Sequence, residues 1–299
     1  MKTFAQYKGL FYPRKIGNRL LYVSYNQPPL QYKGAKTSLP HEQINLENNL
    51  EVEALILDYD EGNIDNFFPM YLPDLLNLKF LQIPIHYLSK LTIIPENLER
   101  LVLINKKGYL SEENKKTILW PKELILSDLK YLHIANSHSQ IDIDCLFGMA
   151  QKHFPNLAFL NLTLDKKGIL MEEISNFSSL KALELGMVKK KQIFDAIDDQ
   201  IHYLSLSNIQ NIEGISNLSK LKKVVLNSVN GELDCRLFKK LLFLEELTIY
   251  NSFKIKNVEA LLDMDSLKML TAVNCKKAFG GMKHMFESKA FDLLSIEHS

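Results

Sequence analysis

Two cysteines follow an aspartate in closely similar wording, Asp144-Cys145-Leu146-Phe147 and Asp234-Cys235-Arg236-Leu237-Phe238. A reactive thiol needs a lowered pKa and a neighbouring base. Both cysteines fall instead at the same point of a segment returning from one apolar strand to the next, where small apolar residues pack. They read as core. His133 and His138 flank Ser137 close to Asp142 and Asp144, but that spacing matches no standard metal framework. The pair Gly280-Gly281 stands alone and reads as a turn. No G-x-G-x-x-G, P-loop, G-x-S-x-G or H-E-x-x-H occurs. The expectation is a protein that is not an enzyme and carries no cofactor or metal.

Charge excludes further classes. The 299 residues hold 36 basic and 35 acidic side chains, a formal net charge of +1. A nucleic-acid binder would carry a basic excess. The three cysteines are far apart, contain no C-x-x-C and fit free thiols in a reducing compartment. The opening stretch MKTFAQYKGLFYPRK lacks the apolar core of a secretory signal. No apolar run approaches the ~20 residues of a membrane span. The expected location is cytoplasmic, with no nucleic-acid, membrane or small-molecule partner.

What positions the remaining candidates is a repeat. The stretch LEELTI, Leu244 to Ile249, has ten echoes: VEALIL from Val52, LKFLQI from Leu78, LERLVL from Leu98, LKYLHI from Leu129, LAFLNL from Leu157, LKALEL from Leu180, IHYLSL from Ile201, LKKVVL from Leu221, LKMLTA from Leu267 and FDLLSI from Phe291. Starts are roughly 20 to 31 residues apart, most often about 23. Frame positions 1, 4 and 6 are apolar. Side chains alternate along a strand, so these point into a core and positions 3 and 5 point out. One repeat cannot bury its leucines alone, whereas a stack of repeats can.

The intervening segments differ. Cys145–His153, the stretch after Asp234, Asn257–Leu262 and Gly281–Glu287 read as short helices, with Asp234 as a cap. Ile209, Ile212, Ile215, Leu218 and Leu221 recur every three residues and suit a 3₁₀-like return. Residues 1–45 lack the frame and are rich in aromatics; LLYVSY, Leu20 to Tyr25, reads as a strand. They are expected to cap the open end of an array covering residues 46–299.

Over about 250 residues the chain resembles a leucine-rich-repeat protein, and Leu204–Leu221 is similar to the short bacterial and SDS22-like repeat class. The resemblance implies an α/β solenoid: a curved parallel sheet on the concave side, with short helices and 3₁₀ turns on the convex side. It departs from the family pattern in its asparagines. Cys275 takes the place where the family has Asn or Cys, but Asn105, Asn136, Asn208, Asn251 and Asn274 sit one residue early.

The outward positions point to binding. Position 3 reads Ala54, Phe80, Arg100, Tyr131, Phe159, Ala182, Tyr203, Lys223, Glu246, Met269, Leu293. Position 5 includes His133, Asn161 and Glu184. Stacked about 4.8 Å apart, these columns would present aromatic anchors among hydrogen-bonding neighbours, the composition of a protein-binding hot spot; the alternative is that the rings simply pack against one another. The expected protein-binding residues are Phe80, Arg100, Tyr131, His133, Phe159, Asn161, Glu184, Tyr203 and Tyr250. Lysine pairs after several strands (Lys106-Lys107, Lys166-Lys167, Lys189–Lys191, Lys276-Lys277) would line one edge. The expected function is a non-enzymatic protein-binding scaffold. The family resemblance adds an immunity or inhibitor protein acting on a cognate bacterial toxin, and the Lys-, Asn- and Ile-rich wording fits a bacterial genome. An effector or adaptor acting on a host or regulatory protein is the alternative.

Overall fold

The computed structural model describes residues 17–42, 44, 50–58, 69–91, 94–105, 118–136, 143–144, 150–162, 174–186 and 193–297. The chain divides into two compact units, residues 1–161 with 176–179, and residues 162–175 with 180–299.

In the first unit the strands β1 (Leu20–Val23), β2 (Lys36–Ser38), β3 (Ala54–Leu57), β4 (Phe80–Pro84), β5 (Arg100–Asn105), β7 (Tyr131–Asn136) and β9 (Phe159–Leu162) lie side by side in the order β2-β1-β3-β4-β5-β7-β9. Two-residue strands β6 (Ile118–Leu119) and β8 (Ile143–Asp144) pair separately. In the second unit the order is β10 (Ala182–Gly186), β11 (Tyr203–Ser207), β12 (Lys223–Asn227), β14 (Glu246–Tyr250), β16 (Met269–Val273), β17 (Leu293–Glu297). There β13 (Leu233–Asp234) pairs with β15 (Ile255–Lys256) on the return side. The pairings are parallel and in frame register: Ala54 faces Phe80, then Arg100, then Tyr131, and Ala182 faces Tyr203, Lys223, Glu246, Met269 and Leu293 in turn.

The frame leucines make the core. Leu221, Val224 and Leu226, and likewise Leu244, Leu247 and Ile249, are fully buried. Each strand is joined to the next by a repeated device at its start. The N–H groups of Lys222 and Lys223 both donate to the His202 carbonyl, and those of Glu245 and Glu246 both donate to the Lys222 carbonyl. A second device closes the far end. Asn208, Ser228, Asn251 and Asn274 follow their strands with φ of 54°, 60°, 49° and 57°. Asparagine tolerates this left-handed conformation, which explains why it stands one residue earlier than the family pattern requires. Their side chains form a short ladder: Asn274 Nδ2 donates to Asn251 Oδ1 at 2.8 Å, and Asn251 Nδ2 donates to Asn227 Oδ1 at 3.1 Å. Asn227 takes part because its neighbour, Ser228, holds the place that an asparagine holds elsewhere.

The return segments are mostly 3₁₀ turns: Leu72–Asp74, Ile85–Lys90, Phe194–Ala196, Ile215–Asn217, Cys235–Lys240 and Val258–Leu261. The expected helices after Asp234 and at Asn257–Leu262 are thus 3₁₀ rather than α. The 3₁₀ turn rises further per residue, so a repeat of little more than twenty residues can recross the core with it. Short α-helices occur at Ala150–His153, Lys276–Phe279 and Lys283–Ser288. Asp234 does cap its turn, with Oδ1 accepting the Arg236 N–H at 2.9 Å. Gly231 is required where its N–H meets the Gln210 carbonyl, because a Cβ there would collide with that oxygen.

Candidate protein-binding face

The outward column of the first unit is in the expected register but is not an open row of rings. The Arg100 guanidinium lies 5.2 Å from the Phe80 ring centre and 4.0 Å from that of Tyr131. Tyr131 meets Phe159 edge to face at 4.5 Å, and His133 meets Tyr131 edge-on at 6.3 Å. Tyr131 is 3% exposed and Phe159 1%. Phe80 is equally covered, as are Ile56 and Val102 of the neighbouring column. The expectation that Phe80, Tyr131, Phe159 and Tyr203 stand out as exposed anchors is therefore corrected. A ring edge fits a ring face and a guanidinium fits between two rings, so the aromatics bury one another. Arg100, His133 and Asn161 remain half-buried at the surface.

The second unit is different. Tyr203 is buried, but its hydroxyl donates to Glu184 Oε1 at 3.3 Å. Burial first, and then the Glu184 carboxylate, raise the phenol pKa well above its ordinary value, so the hydroxyl stays protonated as a donor. On the next strands Lys223 Nζ sits 6.0 Å above the Tyr203 ring and 2.5 Å from Glu246 Oε1. Glu184, Tyr203, Lys223 and Glu246 thus form a polar chain across β10, β11, β12 and β14. Beyond it Met269 and Thr271 are half-buried, Leu293 is 52% exposed and Ser295 is partly open. Tyr250 is half-buried at the end of β14. The face combines fixed charges, hydroxyls and apolar side chains in two registered columns.

Of the residues weighed for chemistry, the two described cysteines are packed in the core. Cys235 is fully buried, and burial, followed by nearby negative charge, pushes its thiol pKa far up. Cys275 is buried with its Sγ 3.3 Å from the Val273 carbonyl, and burial raises its pKa too. Burial and a raised pKa are the reverse of what a reactive thiol needs. Ser137, His138, Asp142 and Cys145 lie outside the described residues, as do Lys106-Lys107, Lys166-Lys167 and Lys189–Lys191. Among the described residues no three His, Cys, Asp or Glu side chains meet in a way that could hold a metal, and no helix is long and apolar enough to cross a membrane.

No protein-family model and no curated protein matches the chain. Among solved structures it is similar to an internalin, inlF, from Listeria monocytogenes, at 18% identity and a TM-score of 0.51, over 84% of this chain and 76% of that one. It also aligns with internalin C2 of the same organism at 14% identity and a TM-score of 0.39, over 77% of this chain and 84% of that one. The functional domain of Listeria InlJ, which includes a cysteine ladder, aligns at 13% identity and a TM-score of 0.31, over 81% and 70%. The first likeness joins the frame, the register and the 3₁₀ returns in one conclusion: in fold the chain is a leucine-rich-repeat protein.

Proposed function

We propose that the chain is a non-enzymatic protein-binding scaffold whose working surface is the outward sheet face of the second unit. The observation that carries this reading is the registered run Tyr203, Lys223, Glu246, Met269, Leu293, with Glu184, Thr271, Ser295 and Tyr250 beside it. Its polar part is fixed before a partner arrives by the Tyr203–Glu184 bond and the Lys223–Glu246 pair, so little side-chain entropy remains to be lost. Its apolar part, Met269 and Leu293, gives a partner something to bury. Arg100, His133 and Asn161 form a smaller polar face on the first unit within the same reading. Residues 1–45 are taken as the N-terminal cap of the array.

The test is site-specific photo-crosslinking. A benzophenone amino acid at Met269 or Thr271 should capture a protein from the native cytoplasm, and one at Glu259 on the return side should not. Equal capture from Glu259 would sink the proposal.

A finer form of this reading is a cytoplasmic immunity or inhibitor protein for a cognate bacterial toxin; it is supported by the family resemblance and the Lys-, Asn- and Ile-rich wording of the chain. Co-expression with the product of an adjacent toxin gene should restore growth. Continued killing at equal expression would favour the adaptor alternative.

A further inference from the structure

Position 2 of the frame lies on the rim where the chain enters each strand. In the first unit its charges alternate: Arg19, which precedes β1 in the same register, then Glu53, Lys79, Glu99 and Lys130. They neutralise one another, with Arg19 Nη1 2.5 Å and Lys79 Nζ 4.0 Å from the Glu53 carboxylate, and Lys130 Nζ 3.6 Å from Glu99. In the second unit the alternation fails. Lys181, His202 and Lys222 take three successive places, tied by the His202 N–H to the Lys181 carbonyl at 2.9 Å and the Lys222 N–H to the His202 carbonyl at 2.8 Å. Lys220 lies in the turn just before. Among the described residues none of these three lysines forms an ion pair; Lys181 Nζ donates to the neutral Gln200 Oε1 at 3.4 Å. The nearby carboxylates bond to neutral donors or stand further along the rim. Asp199 accepts from Ser219 Oγ and the Lys220 N–H, Asp198 accepts from the Gln200 N–H, and Glu245 stands one place further on. His202 reports the resulting field: burial, and then Lys181, Lys222 and Lys220, hold its imidazole below the ordinary pKa.

The next turn on the same rim breaks a second rule. The residue before the frame is polar in repeats of the first unit and ties each turn to the one before. Asn77 Nδ2 donates to the Leu50 carbonyl, Asn97 to Leu76, Asn156 to Ser127, and Ser179 Oγ to Pro155, at 2.7 to 3.2 Å. In the second unit that place reads Gln200, Lys220, Phe243, Ser266 and Ala290 in turn. The Phe243 side chain can donate nothing and stands 58% exposed beside Leu242 at 74%. Leucine also precedes this place at Leu50 and Leu76; the aromatic ring is the departure.

We propose that this rim, from Lys181 through His202, Lys220 and Lys222 to Leu242 and Phe243, docks an acidic polypeptide segment that carries an apolar side chain. The lysines face its carboxylates and the Leu242–Phe243 knob takes the apolar group. Three strand spacings span about 14 Å, the length of four or five residues of extended chain. A nucleic acid fits less well, because the run of like charge ends at Glu245 after three places, too short for a phosphate backbone to follow, and the whole chain is nearly neutral. This contact is separate from the sheet face and stands whether or not that face binds.

The probe is a short fluorescein-labelled peptide of alternating glutamate and leucine, followed by fluorescence anisotropy on the full chain. Binding should saturate, weaken with salt and fall about tenfold in Lys181→Gln/Lys222→Gln, with a shallower salt dependence. It should fall similarly in Leu242→Ser/Phe243→Asn, which installs residues that other repeats use there and so leaves the thermal midpoint at or above the parent value. An all-glutamate peptide should bind more weakly than the alternating one. The proposal is overturned by non-saturating binding or by folded variants that both bind like the parent. It is also overturned if a thymidine oligonucleotide of equal charge, or vesicles of phosphatidylserine, bind more tightly than the peptide.

Discussion

The Arg100 guanidinium lies 4.0 Å from the centre of the Tyr131 ring, and Tyr131 in turn presents its edge or face to Phe159 at 4.5 Å. The two side chains serve the fold. Tyr131→Ala should therefore destabilise the first unit by roughly 3–5 kcal/mol, the usual cost of removing a buried ring. Arg100→Met, which keeps the stem and loses the cation, should cost about 1–2 kcal/mol. Chemical denaturation checks both. An unchanged midpoint in Tyr131→Ala would show that the ring is not part of the packing.

His153 supplies a pH dependence. It is fully buried, with Nδ1 2.8 Å from the Leu124 carbonyl, which also accepts from Trp120 Nε1 at 3.2 Å. Burial, the largest cause, depresses its pKa. The native state thus holds the imidazole neutral with Nδ1 donating, whereas the unfolded chain protonates near pH 6.5. The contribution is complete above about pH 6.5 and declines as pH falls below it. Trp120 is the only tryptophan in the chain, so its fluorescence reads this site. The thermal midpoint should drop between pH 7 and pH 5, and His153→Gln, which can still donate to Leu124, should flatten that drop.

Asp234 links two successive return turns. It caps its own turn through the Arg236 N–H, pairs with the Arg236 guanidinium and accepts from Asn257 Nδ2 at 2.9 Å. Those bonds, the Arg236 side chain first, hold its carboxyl well below the usual range. Asp234→Ala should cost about 1 kcal/mol near neutral pH. A depressed carboxyl contributes fully above the unfolded pKa and loses its contribution as pH falls. The difference between variant and parent should then shrink below about pH 4, as acid titration of both proteins would show.

Lys289 Nζ donates to the carbonyls of Leu261, Leu262 and Met264 at 3.2, 2.9 and 2.8 Å. It closes the end of the Val258–Leu261 turn from the following repeat. Lys289→Met should strand those acceptors and cost about 1–3 kcal/mol. Hydrogen exchange should quicken in β16 and β17 while β11 keeps its protection; uniform exchange would contradict the assignment.

The frame was legible because L-x-x-L-x-L repeats wherever the sheet has a buried inner side, and its register follows directly from the apolar positions. Strand β1 was legible only as a strand. Leu20 stands in register with Ala54, but Asn18 takes the frame's first position, and Leu20 and Tyr22 are buried where outward residues were expected. The burial of Phe80, Tyr131 and Phe159 was legible only as one of two outcomes, because alternation tells which side a ring leaves the sheet on and not what then packs over it. The rim was hidden for another reason. Asn77, Asn97 and Asn156 share a place before the frame, and only their bonds to the preceding turn reveal the rule that Phe243 breaks.

The left-handed residues that follow β11, β12, β14 and β16 give each strand the same exit. From Ser228 to Tyr250 the chain leaves one such corner and arrives at the next with identical donors and acceptors at both joins: the Ser228 N–H on the Tyr250 carbonyl, and the Asn251 N–H on the Val273 carbonyl. That stretch is a cassette. A duplicate spliced in after Tyr250 would meet matching ends, so this half of the protein can grow by whole modules, each adding one more row to its outward columns.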